Sequence, residues 1–103
     1  MITIKIAKTW GERFLGFMFR GAKPGEALLI PDCRYVHTCF VPGSLDLIFL
    51  DGAGKVMRVD ESVPGFKFRG NSKASAVLEM AGGSWRSLSS KERAKALRSL
   101  NPR

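Results

Sequence analysis

The chain holds one histidine, one tyrosine and two cysteines in 103 residues. Two cysteines without a secretion signal do not make a disulfide framework and are expected as reduced thiols. The N-terminus, MITIKIAKTWGERF, reaches Lys5 and Lys8 at once, and it lacks both the apolar core of a signal peptide and a small-residue cleavage site. No apolar run approaches the roughly 18 residues that a membrane-crossing helix requires. These absences predict a cytoplasmic protein with no transmembrane segment.

Acidic residues are also scarce. Nine Asp and Glu stand against 17 Lys and Arg, a formal charge of +8, which suits an acidic ligand, nucleic acid or an anionic surface as partner. The excess by itself speaks to solubility and non-specific binding rather than to fold. With 45% hydrophobic and 10% aromatic residues the composition is globular, and the length suits a single domain over residues 1–103 with one modest core.

Residues 2–7, ITIKIA, alternate apolar and polar as a half-buried strand does. Thr9 stands before Glu12 at capping-box spacing, and Trp10, Phe14, Phe17 and Met18 follow at helical intervals. A short helix is expected over 10–18, weakened by Gly11 and Gly16 at about 1 kcal/mol each; Gly16 there predicts close packing against a neighbouring backbone. Strands are expected at 27–30, ended by Pro31, and at 33–41, which is rich in β-branched and aromatic residues. Residues 45–51, LDLIFLD, are apolar on both faces apart from Asp46, the pattern of a central strand. The following DGAG is a hairpin signal in which Gly52 and Gly54 are expected to supply positive φ. Further strands fall at 55–60, within GFKFRG and at 74–80. Ser89 and Glu92 repeat the capping-box spacing before KERAKALRSL, where Lys91, Lys95 and Arg98 form a basic stripe opposite Ala94, Leu97 and Leu100. Hairpin-length turns between about six or seven strands predict a mainly β fold: a small antiparallel β-barrel or sandwich, with a short helix after the first strand and another at the C-terminus.

Cys33, His37 and Cys39 are competent zinc ligands or thiol–imidazole partners. On a straight strand, however, Cys33 and Cys39 stand roughly 20 Å apart, too far for one zinc or for a disulfide. His37 and Cys39 could share a metal only with two further ligands from elsewhere, and no metal or cofactor is expected. Asp46, flanked by Leu45, Leu47 and Ile48, must face solvent, a pocket, or a cationic or hydrogen-bonding partner; Glu79 poses the same question. Either of them would form a polar cluster if it met Arg13, His37 or Thr38. In GFKFRG, Phe66 and Phe68 alternate with Lys67 and Arg69. The two rings are expected in the core, although exposed aromatics beside cations are how single-stranded nucleic acid is held.

Laid out in order, the segments "AKTWGERFLGFM", "GEALLIPDC", "VHTCFVPGSLDLIFLD", "GKVMRV" and "AVLEMAGG" resemble the domain-of-unknown-function 192 family, in a form where a His-Thr pair and a cysteine precede the Asp-containing strand. The resemblance covers about residues 3–83. It implies a small β fold of jelly-roll-like or distorted-barrel type and supplies no reaction. The family motif falls on Arg13, Gly16, Cys33, His37, Thr38, Leu45, Asp46, Phe49, Asp51, Leu78, Glu79 and Gly82. Ser44 stands where a proline is usual, and SLSSKERAKAL replaces the family's closing Gly-Asp strand. The chain thus divides into a family-like β core over 2–83 and a basic helical extension over 84–103.

Three functional readings follow. The first is a non-enzymatic binding or accessory module, with a polar surface or cleft at Arg13, His37, Thr38, Asp46 and Glu79 and a protein partner or acidic ligand. The alternative is a hydrolase-type enzyme in which His37 is the general base, oriented by Asp46 or Glu79. The third is binding of nucleic acid or an anionic surface through Lys67, Arg69, Lys91, Lys95 and Arg98, with an affinity that falls steeply with salt.

Overall fold

The computed structural model describes residues 2–9, 11–12 and 16–100. Among these, seven strands and two helices are found: β1 (Thr3–Ile6), β2 (Glu26–Pro31), β3 (Tyr35–His37), β4 (Leu45–Leu50), β5 (Val56–Val63), β6 (Phe68–Gly70), β7 (Ala76–Ala81), α1 (Ser84–Ser87) and α2 (Ser90–Ser99). Five strands form one sheet in the order β1-β2-β7-β4-β5, while β3 and β6 pair as a separate ribbon. The protein is therefore mainly β, in two sheets with C-terminal helices. The expected closed barrel is not found: the large sheet is open, with β1 and β5 as its edges.

Strand β4 is buried along its whole length because both faces of the sheet are covered. One face carries Phe17, Leu45, Leu47, Phe49 and Val77, against which Cys33 and Val36 of the ribbon side pack. The opposite face carries Leu29, Ile48, Leu78 and Met80, covered by Trp85, Leu88, Leu97 and Leu100. The C-terminal helix thus docks through Leu97 and Leu100 of the stripe read from its sequence, whereas Ala94 is exposed. Its capping box is formed, Ser89 Oγ accepting from the Glu92 amide and Glu92 Oε1 from the Ser89 amide. The Arg93 guanidinium donates to the Trp85 carbonyl at 3.0 and 2.9 Å, tying α2 to α1.

The turn from β4 to β5 is the expected hairpin. Asp51 Oδ1 accepts from the amides of Ala53 and Lys55, and Gly54 takes φ +82. Gly52 is not among the positive-φ residues; the Asp51 side chain closes the turn with a single left-handed glycine. The all-antiparallel expectation also needs correction, because β1 runs parallel to β2. The connection from β1 to β2 spans residues 7–25, long enough for the crossover that parallel strands require. Thr9 and Glu12 make their reciprocal capping bonds at 2.9 and 3.0 Å. Residues 10 and 13–15 of the helix expected there lie outside the described residues. Among the described residues no helix is long and apolar enough to cross a membrane.

The strand expected over 33–41 shortens to β3. Phe40 takes φ +62, and the chain turns where a straight strand would have carried on. The buried Thr38 side chain holds that turn: its hydroxyl donates to the Pro64 carbonyl at 2.7 Å and accepts from the Lys67 amide at 2.9 Å. Its backbone adds bonds to the Lys67 carbonyl and from the amides of Val41 and Phe66. A single threonine thus links the loop after β3 to the loop before β6.

Candidate functional site

Among the described residues, the structure does not bring the expected polar cluster together. Asp46 lies opposite Met80 and Leu47 opposite Glu79 in the β4–β7 register, so the two carboxylates point to opposite faces of the sheet. Arg13 lies outside the described residues. Thr38 is the loop tie just described. His37 belongs to the outer face of the ribbon, alternating with Val36, which packs inward, and its Nδ1 accepts from the Cys39 amide at 3.2 Å.

Asp46 is fully buried on the helix-covered face, and three amides surround it. Oδ1 accepts from Ser62 at 2.8 Å and Gly83 at 3.1 Å, and Oδ2 accepts from Trp85 at 2.9 Å. The β4–β5 register shifts between Leu45 and Leu47, so β5 bulges there and Ser62 takes φ +50. Asp46 receives the bulged amide and the free amides at the start of α1, and so fastens the edge strand and the first helix to the centre of the sheet.

Glu79 faces the other layer between Leu28 and Leu47, its cross-strand neighbours. Burial pushes its carboxyl up to about 7 from 4.5. Above it lies Gly16, φ +49, where an added Cβ would come within 3.2 Å of Glu79 Oε1. The close approach expected at Gly16 is thus to a side chain rather than to a backbone. The nearby Glu79 oxygen and the positive φ both favour a glycine at this position.

Cys33 and Cys39 are free thiols, and the Cys33 thiol donates to the Tyr35 carbonyl at 3.3 Å. Among the described residues no group of three or more His, Cys, Asp or Glu is disposed to hold a metal ion.

The basic residues separate as well. Lys91, Lys95 and Arg98 are exposed on α2, which covers one face of the large sheet, whereas Lys67 and Arg69 accompany the ribbon on the other. Arg69 is partly occupied, lying 3.9 Å from Asp60 Oδ2. Lys67 is exposed.

The structure overturns the core assignment of Phe66 and Phe68. They are 66% and 75% exposed, and Phe19, Phe40 and Tyr35 join them at 69%, 55% and 66%. Phe19 stacks on Phe40 with centroids 5.5 Å apart, and Phe66 meets Phe40 edge-on at 5.3 Å. The Phe19 amide donates to the Phe40 carbonyl at 2.8 Å, which locks a third loop to the two that Thr38 ties. On the ribbon, the His37 and Phe68 rings lie 6.4 Å apart at the rim of an open cleft of about 430 Å³. The Tyr35 ring lies across Gly70, leaving no room for a Cβ there.

Phe19, Phe40 and Phe66 share one further property: φ of +70, +62 and +62. A bulky residue pays for the left-handed region, and glycine or asparagine is the usual choice there. Sequence reasoning missed Phe19 and Phe40. The available signal was their setting, since each of the three rings sits beside a Gly or Pro turn, in FRG, FVPG and PGF.

No curated protein matches the chain. Two solved structures share its fold: a protein from Sinorhizobium meliloti described as a candidate transcription regulator, at 20% identity over 82% of this chain and 72% of that one with a TM-score of 0.71, and a protein of unknown function from Novosphingobium aromaticivorans, at 23% identity over 94% and 69% with a TM-score of 0.70. At that identity the likeness establishes architecture alone. The DUF192 family, described as uncharacterized ACR, matches residues 1–95, so the match runs past the β core into α2. This chain belongs to the DUF192 family.

Proposed function

We propose that the protein is a non-enzymatic binding module, a single domain that makes contact through the exposed aromatic face formed by the loops at Phe19, Phe40 and Phe66 and by the outer side of the β3–β6 ribbon. The observation that carries this reading is the trio of phenylalanines held exposed at left-handed backbone positions. Folding gains little from a ring that stays more than half in water, and each such residue costs roughly 1–2 kcal/mol in backbone strain relative to a glycine. A contiguous exposed apolar patch of this kind marks an interaction surface. The enzyme alternative is less well supported. Asp46 is occupied by three backbone amides, and the outward-facing His37 sits away from the buried Glu79.

The test is an amide chemical-shift map of the labelled protein with three separate probes: a short single-stranded oligonucleotide, anionic lipid nanodiscs and an acidic peptide. The expected result is that at least one probe shifts residues 38–41 and 64–68 more than residues 91–98. Shifts confined to α2 with every probe, or none at all, would sink the reading.

A further inference from the structure

Resting on that reading, we infer that the occupant of the aromatic face is single-stranded nucleic acid, held by base stacking on the ribbon and by cations beside it.

The rings of the ribbon are placed for stacking. Tyr35 and His37 are alternate residues on one face of β3, about 6–7 Å apart, and Phe68 stands opposite His37 in the β3–β6 register. The Tyr35 ring lies against Gly70, its Cδ1 nearest the glycine, while two thirds of the residue stays open to solvent. Phe68 is more exposed still. Tyr35 and His37 along β3, with Phe68 across from His37 at 6.4 Å between ring centroids, offer ring positions on which successive bases can stack. The three loop phenylalanines differ, Phe19 and Phe66 both packing on the Phe40 ring; they supply an apolar end to the face.

The charge around the face is of one sign. The segments that build the face, residues 16–23, 34–43 and 63–70, contain Arg20, Lys23, Arg34, Lys67 and Arg69 and no acidic residue. Arg20 is engaged by Glu26 at 3.1 Å and Arg69 by Asp60, whereas Arg34 and Lys67 are exposed at the two ends of the ribbon, next to Tyr35 and Phe68 along the chain. That arrangement suits a polyanion whose backbone passes beside the rings while its bases lie on them. A lipid surface would engage the apolar end at Phe19, Phe40 and Phe66 and leave the phenol of Tyr35 and the imidazole of His37 without a role. An acidic peptide would answer the cations and leave the ring faces unused. Ring faces accept any base, so weak sequence preference and strong salt dependence follow.

The test is fluorescence anisotropy with a labelled single strand of about 12 nucleotides, within the site sizes such surfaces use. Tyr35→Ser and Phe68→Ser are each expected to weaken binding roughly 5- to 100-fold, and Lys67→Glu to weaken it and flatten its salt dependence. The combined variant Lys91→Glu, Lys95→Glu, Arg98→Glu should keep most of the affinity. Absence of binding at low salt overturns the inference, as does binding indifferent to ring removal but abolished by the α2 charge reversal. If nanodiscs or the acidic peptide shift the aromatic face and the oligonucleotide does not, the nucleic-acid assignment fails while the binding-face reading survives. If no probe reaches that face, both fail.

Discussion

Asp46→Ala is expected to lower folding stability by about 4 kcal/mol, read as a shift in the urea unfolding midpoint. The carboxylate accepts from three amides and is fully buried. A hydrogen bond to a charged group is worth about 1.5–3 kcal/mol, and a buried donor left without a partner costs about 1–3 kcal/mol. The amides of Ser62, Gly83 and Trp85 cannot all regain water after truncation, because the Asp46 site lies between the sheet and the helices. Asp46→Asn keeps one accepting oxygen and should cost roughly half as much. The loss should be felt at both ends of the tie, as faster amide exchange at the Ser62 bulge and through α1. A change below about 1 kcal/mol would mean that the three bonds contribute little and that Asp46 is held for another purpose.

Glu79 gives the second large effect, and it depends on pH. Burial raises its carboxyl to about 7 in the folded protein from 4.5, so the folded state holds this proton more tightly than the unfolded chain does. The favourable protonated form is fully present in both states below about 4.5. Stability is then lost as pH rises through about 7, where the buried group must ionise. The interval corresponds to about 3 kcal/mol. Glu79→Gln removes the titration, so it should stabilise the protein by about 2–3 kcal/mol at pH 8 and change it little at pH 4. The parent-minus-variant difference is the quantity to plot. Glu26 and Asp51, whose carboxyls are lowered by the Arg20 side chain and by the Lys55 amide respectively, titrate in the opposite sense and cancel only in that difference. Parallel stability curves for the two proteins would show that Glu79 does not ionise in a buried site.

These two residues show what the sequence disclosed. That Asp46 within LDLIFLD needed a partner followed from the cost of burying a bare carboxylate. The partner proved to be backbone from a bulge and a helix start, and neither is visible in the local pattern. β4 was legible because it is apolar on both faces, the β4–β5 hairpin because Asp51 and Gly54 have the turn chemistry, and α2 because Ser89, Glu92, Leu97 and Leu100 define a cap and a stripe. The parallel β1–β2 pair was not legible, since strand direction is set by a long connection whose path leaves no local signature. The short β3 misled for a related reason: residues 33–41 have strand composition, but the turn at Phe40 is stabilised by Thr38 reaching to Pro64 and Lys67, far along the chain. The aromatic face was misread in the same way. Ring exposure is decided by what packs over a residue, and alternation in GFKFRG does not reveal which side of the ribbon is covered.

The proposed binding role holds that Phe19, Phe40 and Phe66 are kept for contact rather than for folding. The measurement that tests it most directly is the unfolding free energy of the combined variant Phe19→Asn, Phe40→Asn, Phe66→Asn. Two ring contacts worth about 0.5–1.5 kcal/mol each are lost, and strain of about 1–2 kcal/mol is relieved at each position, because asparagine tolerates the left-handed region. The account predicts a stability within about 1 kcal/mol of the parent protein or above it. A loss of about 3 kcal/mol or more would exceed what these ring contacts supply and would make the aromatic trio part of the architecture, contradicting the claim.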